Sequence, residues 1–167
     1  MSTDYLVASL PTLAFGAPAP MTWEQFTAAG GEIAPALART WADLEVQLRN
    51  AVAEARGGER YRRAASGCSL YWKNRVLACF QESDVLRRDT LLDRVWWDAA
   101  GELTPPAAPL GKGALATYAI RLRIALRRDT ISTEVGNAAF DRLTAETRLD
   151  PAADSNRQPS TANDSKR

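Results

Sequence analysis

The chain has 167 residues, a mass of 18.2 kDa, 21 basic and 20 acidic side chains, and a formal charge of +1. That length suits one domain around one core, and a composition of 46% hydrophobic and 25% charged residues excludes wholesale disorder, a collagen-like repeat and a disulfide scaffold. Histidine is absent, which removes both the commonest general base and the commonest metal ligand.

Residues 1–21 are predicted to be extended. Pro11, Gly16, Pro18 and Pro20 break any helix, whereas Tyr5, Leu6, Val7, Leu10, Leu13 and Phe15 are too apolar for a solvated tail. The segment is expected to lie across the core, with Tyr5–Leu10 a candidate short strand. No cation precedes Arg39, so the apolar opening lacks the positive start of an export signal. No run approaches the roughly 20 apolar residues of a membrane span. A cytoplasmic location is expected, with peripheral attachment at the inner membrane through a complex as its variant.

Thr22 followed by Gln25 is a capping-box pattern, predicting a short helix that stops at Gly30-Gly31. The strongest periodicity runs over 35–56, opening on Pro35 and closing on Gly57-Gly58. Leu37, Trp41, Leu44, Leu48, Val52 and Ala55 form its apolar stripe, while Asp43, Glu45, Arg49 and Glu54 lie off that stripe and are expected to be wet. Further helices are predicted over 69–82, burying Val76, Leu77 and Phe80, and over 85–100, capped by Ser83 or Asp84. The latter carries Leu91, Leu92, Val95 and the adjacent Trp96-Trp97.

Pro105-Pro106 and Pro109 form a rigid linker before a helix over 113–128 with Leu115, Tyr118, Leu122 and Ala125 on one stripe, widened by Ile120 and Ile124. Its C-terminal half is crowded by Arg121, Arg123, Arg127 and Arg128, where cations complement the helix dipole. A final helix capped by Ser132 or Thr133 would present Val135, Ala139, Phe140 and Leu143. From 150 onward the chain has almost no apolar residues, and a disordered tail is expected. The predicted architecture is therefore mainly α, one helical domain of five or six helices over 1–149 with a tail over 150–167.

Chemistry-bearing patterns are sparse. Gly111-Lys112-Gly113 lacks the spacing of a phosphate loop and reads as a turn after the proline linker. Asp84, Asp89, Asp93, Asp98 and Glu102 alternate with Arg87, Arg88 and Arg94, which suits surface pairing rather than acid–base work. Cys68 and Cys79 have neither CxxC spacing nor a histidine companion. No catalytic residue, metal or cofactor is expected.

Two features suit binding. Arg60, Tyr61, Arg62 and Arg63 with Tyr71, Trp72, Lys73 and Arg75 mix cations and aromatics as single-strand nucleic-acid sites do, although Glu54 and Glu59 dilute the charge. Trp96 and Trp97 point about 100° apart on a helix. With Arg121, Arg123, Arg127 and Arg128 they are candidate partner-binding residues, the alternative being that both indoles complete the core.

The opening Tyr5-Leu6-Val7-Ala8-Ser9-Leu10-Pro11, with Leu13, Phe15, Pro18, Pro20 and Thr22-Trp23-Glu24-Gln25-Phe26, resembles that of a small bacterial family encoded among the genes of V/A-type rotary ATPases. The stretch from Leu115 to Ile124 resembles that family's C-terminal helix. The resemblance implies a non-catalytic accessory, standing where the helical C (or d) subunit of the central stalk joins the rotating shaft to the membrane ring. That family has no assigned catalytic residues, so none carry over. The expected function is a non-enzymatic subunit or assembly accessory of a V/A-type ATPase, the alternative being an unrelated helical adaptor or nucleic-acid-binding module.

Overall fold

A computed structural model describes residues 2–131, 138, 141 and 142. Its described helices are α1 (Thr3–Ser9), α2 (Trp23–Ala28), α3 (Pro35–Ala55), α4 (Leu70–Cys79), α5 (Val85–Ala100) and α6 (Lys112–Asp129), with 3-10 turns at Glu59–Tyr61 and Gly101–Leu103. Among the described residues there is no strand, and the mainly helical class stands. All six helices fall within one compact unit, Met1–Asp129; Thr130–Arg167 form a second. Most of the predicted final helix, the boundary at 149 and the 150–167 tail lie outside the described residues.

The N-terminus corrects the sequence reading. Tyr5–Leu10 is neither strand nor extended: Ser2 accepts a hydrogen bond from the Tyr5 N–H at 3.3 Å and caps α1. Leu6, Val7 and Leu10 recur at helical spacing and turn together toward the core. Leu10 is already extended, as the residue before Pro11 must be. So short a helix has little stability of its own and depends on what it packs against. Residues 10–22 do run without regular structure, as expected, and the Ala19 N–H donates to Asp129 Oδ2 at 2.8 Å at the far end of α6.

The other elements follow their signals. At α2 the capping box closes: Gln25 N–H donates to Thr22 Oγ1 at 3.2 Å and Thr22 N–H to Gln25 Oε1 at 2.8 Å. The α3 helix ends in a Schellman turn, with Gly58 N–H on the Ala53 carbonyl at 2.8 Å and Gly57 at φ +67°. Asp84 is the cap of α5, accepting from Arg87 N–H at 2.9 Å. By contrast α4 stops at Cys79, short of the predicted Glu82, and buries Trp72 and Val76 while Leu77 and Phe80 are only partly covered.

Three apolar clusters share the interior. Leu44, Leu48, Trp72, Val76, Leu92 and Val95 join α3, α4 and α5. Leu6, Phe26, Leu115, Ala119 and Leu122 join α1, α2 and α6. Between them Ala100, Leu103, Ala116 and Ile120 seat α6 against the end of α5. Because α6 is apolar on two sides, it acts as the central post of the unit. Small residues let it approach closely. At Gly113 a Cβ would overlap the Leu103 carbonyl oxygen, so the glycine read as a turn residue is a packing residue in the first turn of α6.

Candidate docking groove

Adjacent positions on α5 send the two indoles to opposite duties. Trp97 is buried, edge-on to Phe15 with ring centroids 5.5 Å apart. The Arg121 guanidinium lies 5.2 Å above its ring, and Arg121 Nε donates to the Trp97 carbonyl at 3.0 Å. Phe15 is flanked in turn by Arg94 at 5.2 Å and Arg128 at 5.0 Å. Thus Trp97, Arg121 and Arg128 hold the N-terminal segment onto α5 and α6.

Trp96 faces elsewhere. Half-buried, it enters the wall of a groove of about 580 Å³ between α3, α5 and α6. Trp41, Val52, Leu92, Ile120 and Ile124 supply the groove's apolar surface, and charged side chains from all three helices rim it. On that rim Glu45 pairs with Arg49 at 2.7 Å within α3. Asp93 of α5 binds Arg127, and Arg128 at 3.3 Å, both from α6. Arg123 stands over the Trp23 ring at 4.1 Å. Of the six candidate residues, Trp96, Arg123 and Arg127 therefore line the groove; Trp97, Arg121 and Arg128 do not. Trp41, Ile120 and Ile124 belong to it and were legible only as members of apolar stripes.

Asp93 is a buried carboxylate, unlike the surface role expected of it. Burial pushes its carboxyl above the ordinary 3.8, and nearby Asp89 adds to this, while Arg127 and Arg128 offset part of the rise. A raised folded pKa means that the native state holds the proton more tightly than the unfolded chain. This group's contribution to stability is therefore fully present below 3.8 and is lost as pH rises through the folded value. Asp93→Asn, which cannot titrate, is expected to lose stability more steeply than the wild type on acidification through that window. Urea unfolding across a pH series reads the difference, and parallel acid limbs would refute it.

Two further carboxylates have structural duties. Asp98 pairs with Arg75 at 2.9 Å and Arg94 at 3.0 Å, and Glu102 accepts from Trp72 Nε1 at 2.6 Å. Cys68 is exposed and Cys79 buried, both free thiols. Among the described residues no three His, Cys, Asp or Glu side chains gather as a metal site, and no helix is long and apolar enough to cross a membrane.

The basic stretch after α3 is anchored to that helix. Asp43 accepts from the Ser66 N–H at 2.9 Å and the Ser66 hydroxyl at 2.5 Å, and Gln47 accepts from the Ser69 N–H at 3.0 Å. Asn50 both donates to the Arg63 carbonyl and accepts from its N–H, each at 2.8 Å. The Ser66 hydroxyl contributes most to holding the Asp43 carboxyl below its usual range, followed by the Ser66 N–H and the Gln47 side-chain amide.

Comparison with known protein families, curated proteins and solved structures finds no match to this chain.

Proposed function

We propose that the chain is a non-catalytic docking subunit that receives an amphipathic helix of a partner in the α3–α5–α6 groove, the partner being a subunit of a V/A-type rotary ATPase. The observation that carries this reading is the groove itself, with Trp41 and Trp96 beside aliphatic side chains and a rim of charges. Tryptophan combines a large contact area with one directional polar group, and an aromatic anchor beside charged neighbours is typical of interface hot spots. A groove along helix seams suits a helix whose apolar residues recur every three or four positions. With Glu45 tied to Arg49 and Asp93 to Arg127 and Arg128, the rim's other charges are Arg123 over the Trp23 ring, Arg56 near the Phe80 ring, and Asp89; a ring contact leaves a guanidinium its charge. Two cations against one acid favour a partner helix with acidic flanks. The choice of an ATPase as partner rests on the resemblance of the N-terminal and α6 sequences.

The buried carboxylate Asp93 also favours docking over catalysis, since its oxygens are held by two guanidiniums across a helix seam. Affinity capture of the tagged full chain from its native organism, under conditions that keep the rotary complex intact, is expected to recover ATPase subunits. Trp96→Ala should lose them while retaining the helical circular-dichroism spectrum. Recovery of no ATPase subunit by the wild-type chain overturns the assignment of partner, and undiminished recovery by Trp96→Ala overturns the assignment of surface.

A further inference from the structure

Between Arg56 and Arg75 the chain carries six cations (Arg56, Arg60, Arg62, Arg63, Lys73 and Arg75) against the single acid Glu59, although the whole chain sums to only +1. Like charges so close repel one another, and an unsupported stretch of this kind extends into solvent. Here it is fixed instead. Asp43, Gln47 and Asn50, one face of α3 at i, i+4 and i+7, engage the backbone of residues 63, 66 and 69. Those bonds use the polar groups of the loop backbone, while the side chains of Arg60, Arg62 and Arg63 are exposed. The loop buries little apolar surface of its own, so the anchoring sets the presentation of its charges.

Exposed rings stand among these cations. Tyr61 is 66% exposed with Arg60 at 4.8 Å over its ring, and Tyr71 is 61% exposed with Arg75 at 5.9 Å. Of the two acids expected to dilute the patch, Glu54 takes Lys73 at 2.7 Å and Arg62 at 3.6 Å. Beside them lies a hollow of about 300 Å³ that Arg62, Arg63, Ser69 and Lys73 line.

We infer that this anchored loop, with the first turn of α4, is a binding surface for single-stranded nucleic acid. Phosphates would lie along Arg60, Arg63 and the Arg62–Lys73 pair, and bases would stack on Tyr61 and Tyr71. Paired bases cannot offer their faces to tyrosine rings, which selects single strands over duplex. Phosphate and base-face contacts do not read the 2′-hydroxyl, so DNA and RNA should bind alike. An anionic membrane fits the charge but not the apolar content: Leu70 is the one large aliphatic side chain exposed between 56 and 75, and interfacial anchoring needs a broader apolar face. Of these cations Arg56 also lines the groove, whereas Arg60, Arg62, Arg63 and Lys73 do not, and the inference does not depend on the proposed partner.

The test is fluorescence anisotropy of labelled dodecamers of deoxythymidylate and uridylate against the purified full chain. Both should bind equally at low salt. With three or four phosphates engaged, affinity should fall about 20- to 50-fold between about 50 and about 200 mM salt. Arg60→Ala combined with Arg63→Ala should weaken binding at least about tenfold, and Tyr61→Ala about tenfold with rescue by Tyr61→Phe. Asn50→Ala removes no cation yet unties Arg63, and a weakening there reads the anchoring itself. The inference fails if neither oligonucleotide binds at low salt, or if the double arginine variant binds like the wild type. It also fails if phosphatidylglycerol vesicles retain the chain and the oligonucleotides do not.

Discussion

Gly113→Ala is expected to destabilise the fold by about 3–5 kcal/mol, among the largest effects a single methyl group can have. The added Cβ would meet the Leu103 carbonyl oxygen, with the Leu103 carbonyl carbon and Pro105 Cδ close behind at 3.0 Å. A flexible side chain could swing away; backbone cannot, so α6 or the 101–103 turn must shift. Both are buried at that point, Leu103 at 5% exposure and neighbouring Ala116 at 0%. Any shift opens the cluster that seats α6 on α5 and strains the Thr117 Oγ1 bond to the Ala100 carbonyl at 2.7 Å. Chemical denaturation should show a lower midpoint with an unchanged slope. A loss below about 1 kcal/mol would mean that the two segments part more readily than their packing implies.

The second large effect separates two neighbouring residues. Trp97→Ala is expected to cost about 3–5 kcal/mol, since it removes a buried indole together with the surfaces against which Phe15 and Arg121 rest. Trp96→Ala should cost less, about 2–3 kcal/mol, because the indole packs on the α3–α4–α5 core but keeps a partly exposed face that borders the groove. Thermal unfolding of the two single variants measures both directly. Equal losses would show that Trp96 is as much a core residue as Trp97, and the groove would lose its principal anchor.

Much of the fold was legible because it is written in local chemistry. The capping box at Thr22, Pro35 at one end of α3 with Gly57-Gly58 at the other, and Asp84 before α5 are decided within a few residues, and the structure places them where those residues predict. The segment 5–10 was misread because a six-residue apolar run before a proline satisfies strand and helix alike; Ser2 as cap and packing on α6 select the helix.

The site was less legible because its parts are far apart in sequence. Three of the four arginines expected to meet a partner lie against Phe15, Trp97 or Trp23, and no spacing rule links Arg128 to Phe15 across more than a hundred positions. Asp43 and Glu54, expected to be wet, hold Ser66 and Lys73. That the apolar stripes of α3 and α6 leave a shared seam open depends on which helices cover them, and periodicity reports only that a stripe exists.

The hydrogen bond from Ala19 to Asp129 spans 110 residues of chain, and the cluster that shelters Leu6 and Phe26 is completed only by side chains from Leu115 onward. During synthesis the first two helices therefore leave the ribosome without the α6 side chains that complete their cluster, while α3, α4 and α5 can already assemble behind. Closure of so wide a loop comes late and slowly. A nascent chain halted before Lys112 should accordingly leave Leu6 and Phe26 open to chaperones and proteases until the closing helix has been made.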